Sequence, residues 1–196
     1  MTPKLSILVP TLFSRLPVHF PRLMRKLERQ AGQREDVEVL ALFDNKTRSV
    51  GMKRNALLDL ARGEYTVFID DDDVIAPDYV QSIKRALECN PGVDCVSFHV
   101  QLYLANVKDR LCKYRLGVKK CKNTGTDGYI GHISHVHPWR AEIAKQFRFP
   151  DKSVGEDVAW SKRCCAAAST EVVIDRVLYN YMFNNAVTET RHETRW

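Results

Sequence analysis

Apolar and polar positions fall into two alternating kinds of block along the chain. KLSILVP (4–10), VEVLALF (37–43), EYTVFI (64–69) and VDCVSFHVQLYL (93–104) are short apolar runs rich in β-branched and aromatic residues, which predicts buried strands. Between and after them, RLMRKLERQA (22–31), VGMKRNALLDLARG (50–63), APDYVQSIKRALEC (76–89) and EDVAWSKRCCAAA (156–168) are longer, and the spacing predicts helices. Gly63 is placed to end the second helix and Pro77 to open the third. Strand and helix in regular alternation predict an α/β protein with a mostly parallel central sheet and helices on both faces. Ligands in such sheets bind beyond the carboxyl ends of the strands. Asp44 and the run Asp70–Asp73 stand just past predicted strand ends and are expected to meet at one crevice.

Four adjacent aspartates are costly, because like charges about 4 Å apart repel by roughly 1 to 4 kcal/mol at surface-like dielectric. If the backbone stays extended, Asp70 and Asp72 point one way and Asp71 and Asp73 the other. One set suits a hard divalent metal, Mg²⁺ or Mn²⁺, and the other a ribose hydroxyl. A helix N-terminal cluster ahead of Pro77 is the simpler alternative, although one aspartate would suffice for it.

With 196 residues, 44% of them hydrophobic and 28% charged, the chain suits one soluble domain. No apolar run reaches the roughly 18 to 20 residues of a membrane span, and a cytoplasmic protein is the default expectation. The six cysteines show no metal-binding spacing and read as free thiols. A net charge of +6 favours an anionic partner such as a nucleotide diphosphate, a nucleic acid or a lipid surface. The basic residues concentrate in 108–122, which reads as a solvated hairpin paired with the fourth strand, ahead of a patch facing phosphate or, by peripheral contact, a membrane. A nucleic-acid-binding module would leave the acidic run unexplained, since carboxylates repel phosphates unless a metal intervenes.

The string GMKRNALLDLARGEYTVFIDDDDVIAPDYV (51–80) resembles the core of family 2 glycosyltransferases of the GT-A fold, with G-x-x-R-N, G-E-Y, an apolar strand, D-x-D-D and a following Pro-Asp. SILVPT (6–11) resembles the family's first strand, and GEDVAW (155–160) its acceptor-side E-D motif. In the family the first motif usually runs Pro-x-Tyr-Asn-Arg; here Leu12, Phe13 and Ser14 precede Arg15, and Val158 follows the E-D pair where Trp is usual.

The resemblance implies a GT-A (Rossmann-like) α/β/α sandwich in one domain. Residues from 1 to about 100 would bind the nucleotide sugar and those from about 101 to 196 the acceptor. It implies a metal-dependent, inverting transferase that moves a sugar from a nucleotide-diphosphate donor, most simply a UDP-sugar, to a glycan or other hydroxyl acceptor. Asp72 would ligate Mn²⁺ or Mg²⁺, and Asp70 or Asp71 would contact ribose or share the metal. Asp44 would lie near the base with Pro10 and Thr11 as its wall, Arg54 would approach the phosphates, and Asn55 would fix the local backbone. Asp157 would be the general base and Glu156 a second catalytic or acceptor-binding carboxylate. His135 and His137 share a face if their segment is extended, and either completes the metal site or hydrogen-bonds phosphate or backbone. Trp139 is open between stacking on a sugar and filling the core, and Trp160, three residues beyond Asp157, reads more strongly as core. Asp70, Asp72 and Val74 also satisfy the D-x-D-x-[TV] motif of haloacid-dehalogenase-type phosphatases, in which the first aspartate is the nucleophile.

Overall fold

In a computed structural model, which describes residues 2–124 and 128–183, the chain folds as an α/β/α sandwich. In chain order the elements are β1 (Leu5–Leu12), α1 (His19–Ala31), β2 (Val37–Asp44), α2 (Val50–Leu60), β3 (Tyr65–Phe68), β4 (Val74–Ile75), α3 (Tyr79–Cys89), β5 (Cys95–Leu104) and β6 (Val107–Arg115). There follow β7 (Lys122–Asn123), β8 (Tyr129–His132), β9 (Trp139–Arg140), α4 (Ala141–Gln146), α5 (Glu156–Ala167) and β10 (Glu171–Phe183). The sheet order is β2-β1-β3-β9-β5-β6-β8-β7, with β10 along the other edge of β5. The pairings of β1 with β2 and β3, and of β5 with β10, are parallel; β5 and β6 form the expected antiparallel hairpin over the basic segment.

The alternation of β1 sends Leu5, Ile7 and Val9 to one face and Leu8 to the other, and all four are fully buried. On the first face they meet Leu23 and Leu27 of α1 and Val80, Ile83 and Leu87 of α3, which recur at helical spacing. On the second, Leu57 and Leu58 of α2 join Ile143, Trp160 and Cys164 of α4 and α5 around Phe68 and Trp139. Both indoles belong to this core and neither is free to stack on a sugar: Trp139 Nε1 donates to the Ser134 carbonyl at 3.1 Å and Trp160 Nε1 to that of Ala144 at 3.2 Å. All six cysteines are free thiols.

Two expectations change. Helix α2 is capped at its end by Ala61, and Gly63 lies beyond it, packed against Ser6 where a side chain would not fit. The long strand β10, which pairs with β5 and β4, carries a broken apolar pattern, with Asp175 and Arg176 exposed in its middle and Leu178 and Tyr179 buried, that hides it from periodicity. Among the described residues no helix is long and apolar enough to cross a membrane.

One contact fixes the approach to the site. The Gly51 backbone N–H donates to the Lys152 carbonyl at 3.1 Å, and a Cβ at Gly51 would run into the Pro150 carbonyl oxygen. Gly51→Ala is therefore expected to destabilise the protein by about 1 to 3 kcal/mol through overpacking. Thermal denaturation should show a Tm lowered by about 2 to 4 °C per kcal/mol for a chain of this size. An unchanged Tm would show that the 150–152 segment is not packed on α2.

Candidate active site

Strand β1 ends at Leu12 and β3 at Phe68, so residues 10–12 and 69–73 emerge side by side at the carboxyl edge of the sheet. They open into a cavity of about 450 Å³ that is also lined by Ser134–Val136 and by the start of α5, Gly155–Val158. Gly155 has φ of 70°, a left-handed conformation that glycine adopts without strain, and it turns the chain into α5 with Glu156 and Asp157 in the first turn.

The four aspartates separate into two kinds. The backbone is not extended: the Asp73 N–H donates to the Asp70 carbonyl at 3.1 Å and makes a turn. Alternation of burial nevertheless survives, because Asp71 and Asp73 are the buried pair, while the side chains of Asp70 and Asp72 keep 26% and 12% of their surface exposed toward the cavity. The Asp71 carboxylate accepts from Thr11 Oγ1 and pairs with Arg15. That of Asp73 accepts from the Tyr179 hydroxyl at 2.6 Å and the Met182 N–H at 2.7 Å. Two of the four therefore hold the turn rather than a ligand.

Asp70 is a hub. Oδ1 takes Arg54 Nη2 at 2.9 Å and Oδ2 faces His135 Nε2 at 3.2 Å. Burial works against its charge, but Arg54 and His135 outweigh it and hold its pKa far below the usual carboxylate range. Asp72 lacks such support: burial pushes it up to about 6, Arg15 at 3.2 Å opposes, and Asp70 and Asp71 push it further up. A carboxylate whose pairing with Arg15 does not offset its burial and its two acidic neighbours, beside a cavity, suits a hard divalent cation. Among the described residues, no three His, Cys, Asp or Glu side chains are grouped as a ready-made metal site.

Arg54 is buried, packs over the rings of Phe68 and Phe149 at 5.2 and 5.9 Å, and reaches Glu156 Oε1 at 3.3 Å from Nε. Its Nη1 has no hydrogen-bond partner. Burial raises the pKa of Glu156, with the Arg54 charge opposing. Asn55 fixes the backbone as expected, exchanging two hydrogen bonds with Phe149 at 2.8 and 2.9 Å. Asp157 remains 31% exposed at the cavity, with Oδ2 at 3.4 Å from His135 Nδ1.

Other expected site residues lie elsewhere. His137 is corrected: its segment turns at Ser134 instead of running extended, and the ring is fully buried against Phe98 and Tyr114. Its Nε2 faces the Phe98 carbonyl at 3.2 Å and Nδ1 faces Ser134, while burial lowers its pKa to about 3. A neutral core imidazole with both nitrogens occupied is not a metal ligand. His135 does reach the cavity, but its nitrogens face Asp70 and Asp157. Pro10 and Thr11 line the cavity. Asp44 does not, accepting instead from the N–H groups of Lys46 and Arg48, from the Thr47 hydroxyl and from Lys53 Nζ. Burial opposes its charge and Lys53 prevails, so its pKa is lowered.

Arg15, which motif reading located without a role, and Arg22 and Lys53, which it passed over, are cations beside the acidic turn and the end of β1. Arg22 Nη2 donates to the Asp72 carbonyl at 2.8 Å, and the buried Lys53 Nζ donates to that of Thr11 at 3.0 Å. The signal for them was the acidic run itself, which demanded nearby cations. The phosphatase reading fails on position: Asp70 follows the third strand instead of the first, and Arg54 and His135 engage both its oxygens.

This architecture, with an acidic turn beyond β3 facing a carboxylate-led helix, is that of the GT-A glycosyltransferase fold. The chain belongs to glycosyl transferase family 2, whose sequence model matches residues 19–135. A curated relative, an uncharacterised glycosyltransferase of Methanocaldococcus jannaschii, is 22% identical over 157 residues, covering 78% of this chain and 53% of its own length. The chain thus spans about half the length of that relative. Solved structures are similar in fold. S. aureus TarS 1–349 in complex with UDP aligns with a TM-score of 0.68 at 18% identity, over 93% of this chain and 61% of that one. The mannosyltransferase PcManGT from Pyrobaculum calidifontis, in complex with GDP-Man and Mn²⁺, aligns at 0.59 and 14% identity, over 92% and 57%.

Proposed function

We propose that this chain transfers a sugar from a nucleoside diphosphate, with UDP favoured, to a hydroxyl acceptor, probing its donor with the carboxyl edge of β1 and β3 and its acceptor with α5. The observation that carries the reading is that the carboxylates of Asp70, Asp72 and Asp157 line one cavity beyond the carboxyl ends of β1 and β3. Residues up to about 100 form the donor half and those from about 101 the acceptor half, whose last stretch, 184–196, lies outside the described residues. TarS with UDP and PcManGT with GDP-Man and Mn²⁺ support a nucleotide donor and a metal.

Asp72, with Asp70 beside it, would hold Mn²⁺ or Mg²⁺, which when bound neutralises charge on the departing diphosphate. Arg54, with its unpartnered Nη1, adds fixed positive charge at the same cavity. Asp157 takes the acceptor hydroxyl's proton as that oxygen attacks C1 from the face opposite the diphosphate, which inverts the anomeric centre. Glu156, tied to Arg54, holds the start of α5 in place.

The test is a screen of UDP- and GDP-sugars with Mn²⁺ and with EDTA, reading nucleoside diphosphate release with simple glycosides as acceptors. Release confined to UDP-sugars and to metal is expected. Release from GDP-sugars alone would move the donor assignment, and none from any donor would overturn the reading.

A further inference from the structure

The segment that carries His135 is pinned at the site: the Phe68 N–H at the end of β3 donates to the His135 carbonyl at 3.2 Å. The side chain is 10% exposed and lies between two carboxylates that line the cavity, with Nε2 at 3.2 Å from Asp70 Oδ2 and Nδ1 at 3.4 Å from Asp157 Oδ2. Nδ1 is buried and makes no hydrogen bond, so its approach to Asp157 Oδ2 at 3.4 Å is a close contact whose bond is not yet made. Catalytic hydrogen bonds in ligand-free sites are often long and tighten when substrate arrives. Resting on the transferase reading above, we infer that His135 is a positioning residue which links the donor-side aspartate to Asp157 and fixes the direction from which that carboxylate receives the acceptor proton.

This gives the imidazole a role distinct from metal ligation. Asp157 lies in the first turn of a helix that Gly155 opens and that Glu156 ties to Arg54, and its own carboxylate is partly open to solvent. A carboxylate free to rotate presents the wrong oxygen, and misplacement by about 1 Å can cost on the order of 10²-fold in rate. With Asp70 itself clamped by Arg54, His135 passes that rigidity to Asp157.

The ring's two nitrogens can be separated by substitution. The amide of an asparagine lies near the place of Nδ1 and that of a glutamine near Nε2, and each can donate a hydrogen bond. Steady-state kinetics on wild type, His135→Asn, His135→Gln and His135→Ala should show kcat down by about 10²-fold in Gln and Ala. Asn should recover to within about tenfold of wild type, and donor KM should stay within about threefold throughout. In the Asp157→Asn background, His135→Gln should cost less than about threefold more, because the two act as one unit. Gln as active as Asn, a loss confined to donor KM, or independent losses in the double variant would overturn the inference while leaving the transferase reading intact. A wild type inactive with every nucleotide sugar would overturn both.

Discussion

Asp157→Asn should lower sugar transfer by about 10²- to 10⁴-fold, the range typical of removing a general base, while binding of UDP is unchanged. Asn keeps the shape and one hydrogen-bonding oxygen, so the first turn of α5 and the contact with His135 survive in form. What is lost is the group that accepts a proton. The measurement is kcat beside UDP affinity on the same preparation. Loss of UDP binding would place Asp157 at the donor, and full activity would remove it from the chemistry.

Asp72→Asn should separate activity from stability in opposite directions. Transfer and metal-dependent UDP affinity should both collapse, because the carboxylate best suited to the cation is gone. In chelator the variant should be more stable than wild type. Asp72 titrates near 6 in the fold against an ordinary 3.8, through burial and the adjoining Asp70 and Asp71, with Arg15 opposing. The folded state thus binds this proton more tightly than the unfolded chain, and the ionised form is a cost above pH 6 that fades as pH falls toward 3.8. At about 1.4 kcal/mol for each pH unit between the two titrations, the gain at pH 7 is of order 1 to 3 kcal/mol. It should show as a raised Tm at pH 7 that shrinks at pH 5 and is gone by pH 4. A variant less stable than wild type at pH 7 in chelator would mean that Asp72 is already well paired through Arg15.

Much of this arrangement was legible in the chain because the signals were local. The first three strands are continuous apolar runs, and D-x-D-D directly follows one of them. Asn55 could be assigned to the backbone from its motif, and it exchanges two hydrogen bonds with Phe149. What escaped depends on contacts between distant positions. Arg15 reaches Asp71 from beyond β1, and Tyr179 reaches Asp73 across more than a hundred residues from β10, an element whose mixed pattern gives no periodic signal. The His135–His137 pair failed differently: the spacing suggested one shared face, but a turn at Ser134 sends one ring to the cavity and the other into the core. Asp44 shows the same limit, since a strand-end carboxylate can serve a loop and a buried lysine as readily as a ligand.

The central claim is a metal-assisted nucleotide-diphosphate site at Asp72, and calorimetric titration of UDP tests it most directly, with GDP and dTDP as comparators, in Mn²⁺ and then in EDTA. Binding of UDP in Mn²⁺ that is lost in EDTA and in Asp72→Asn is the expected result. No binding of any nucleoside diphosphate, or UDP binding equally strong in EDTA and in the variant, would contradict it.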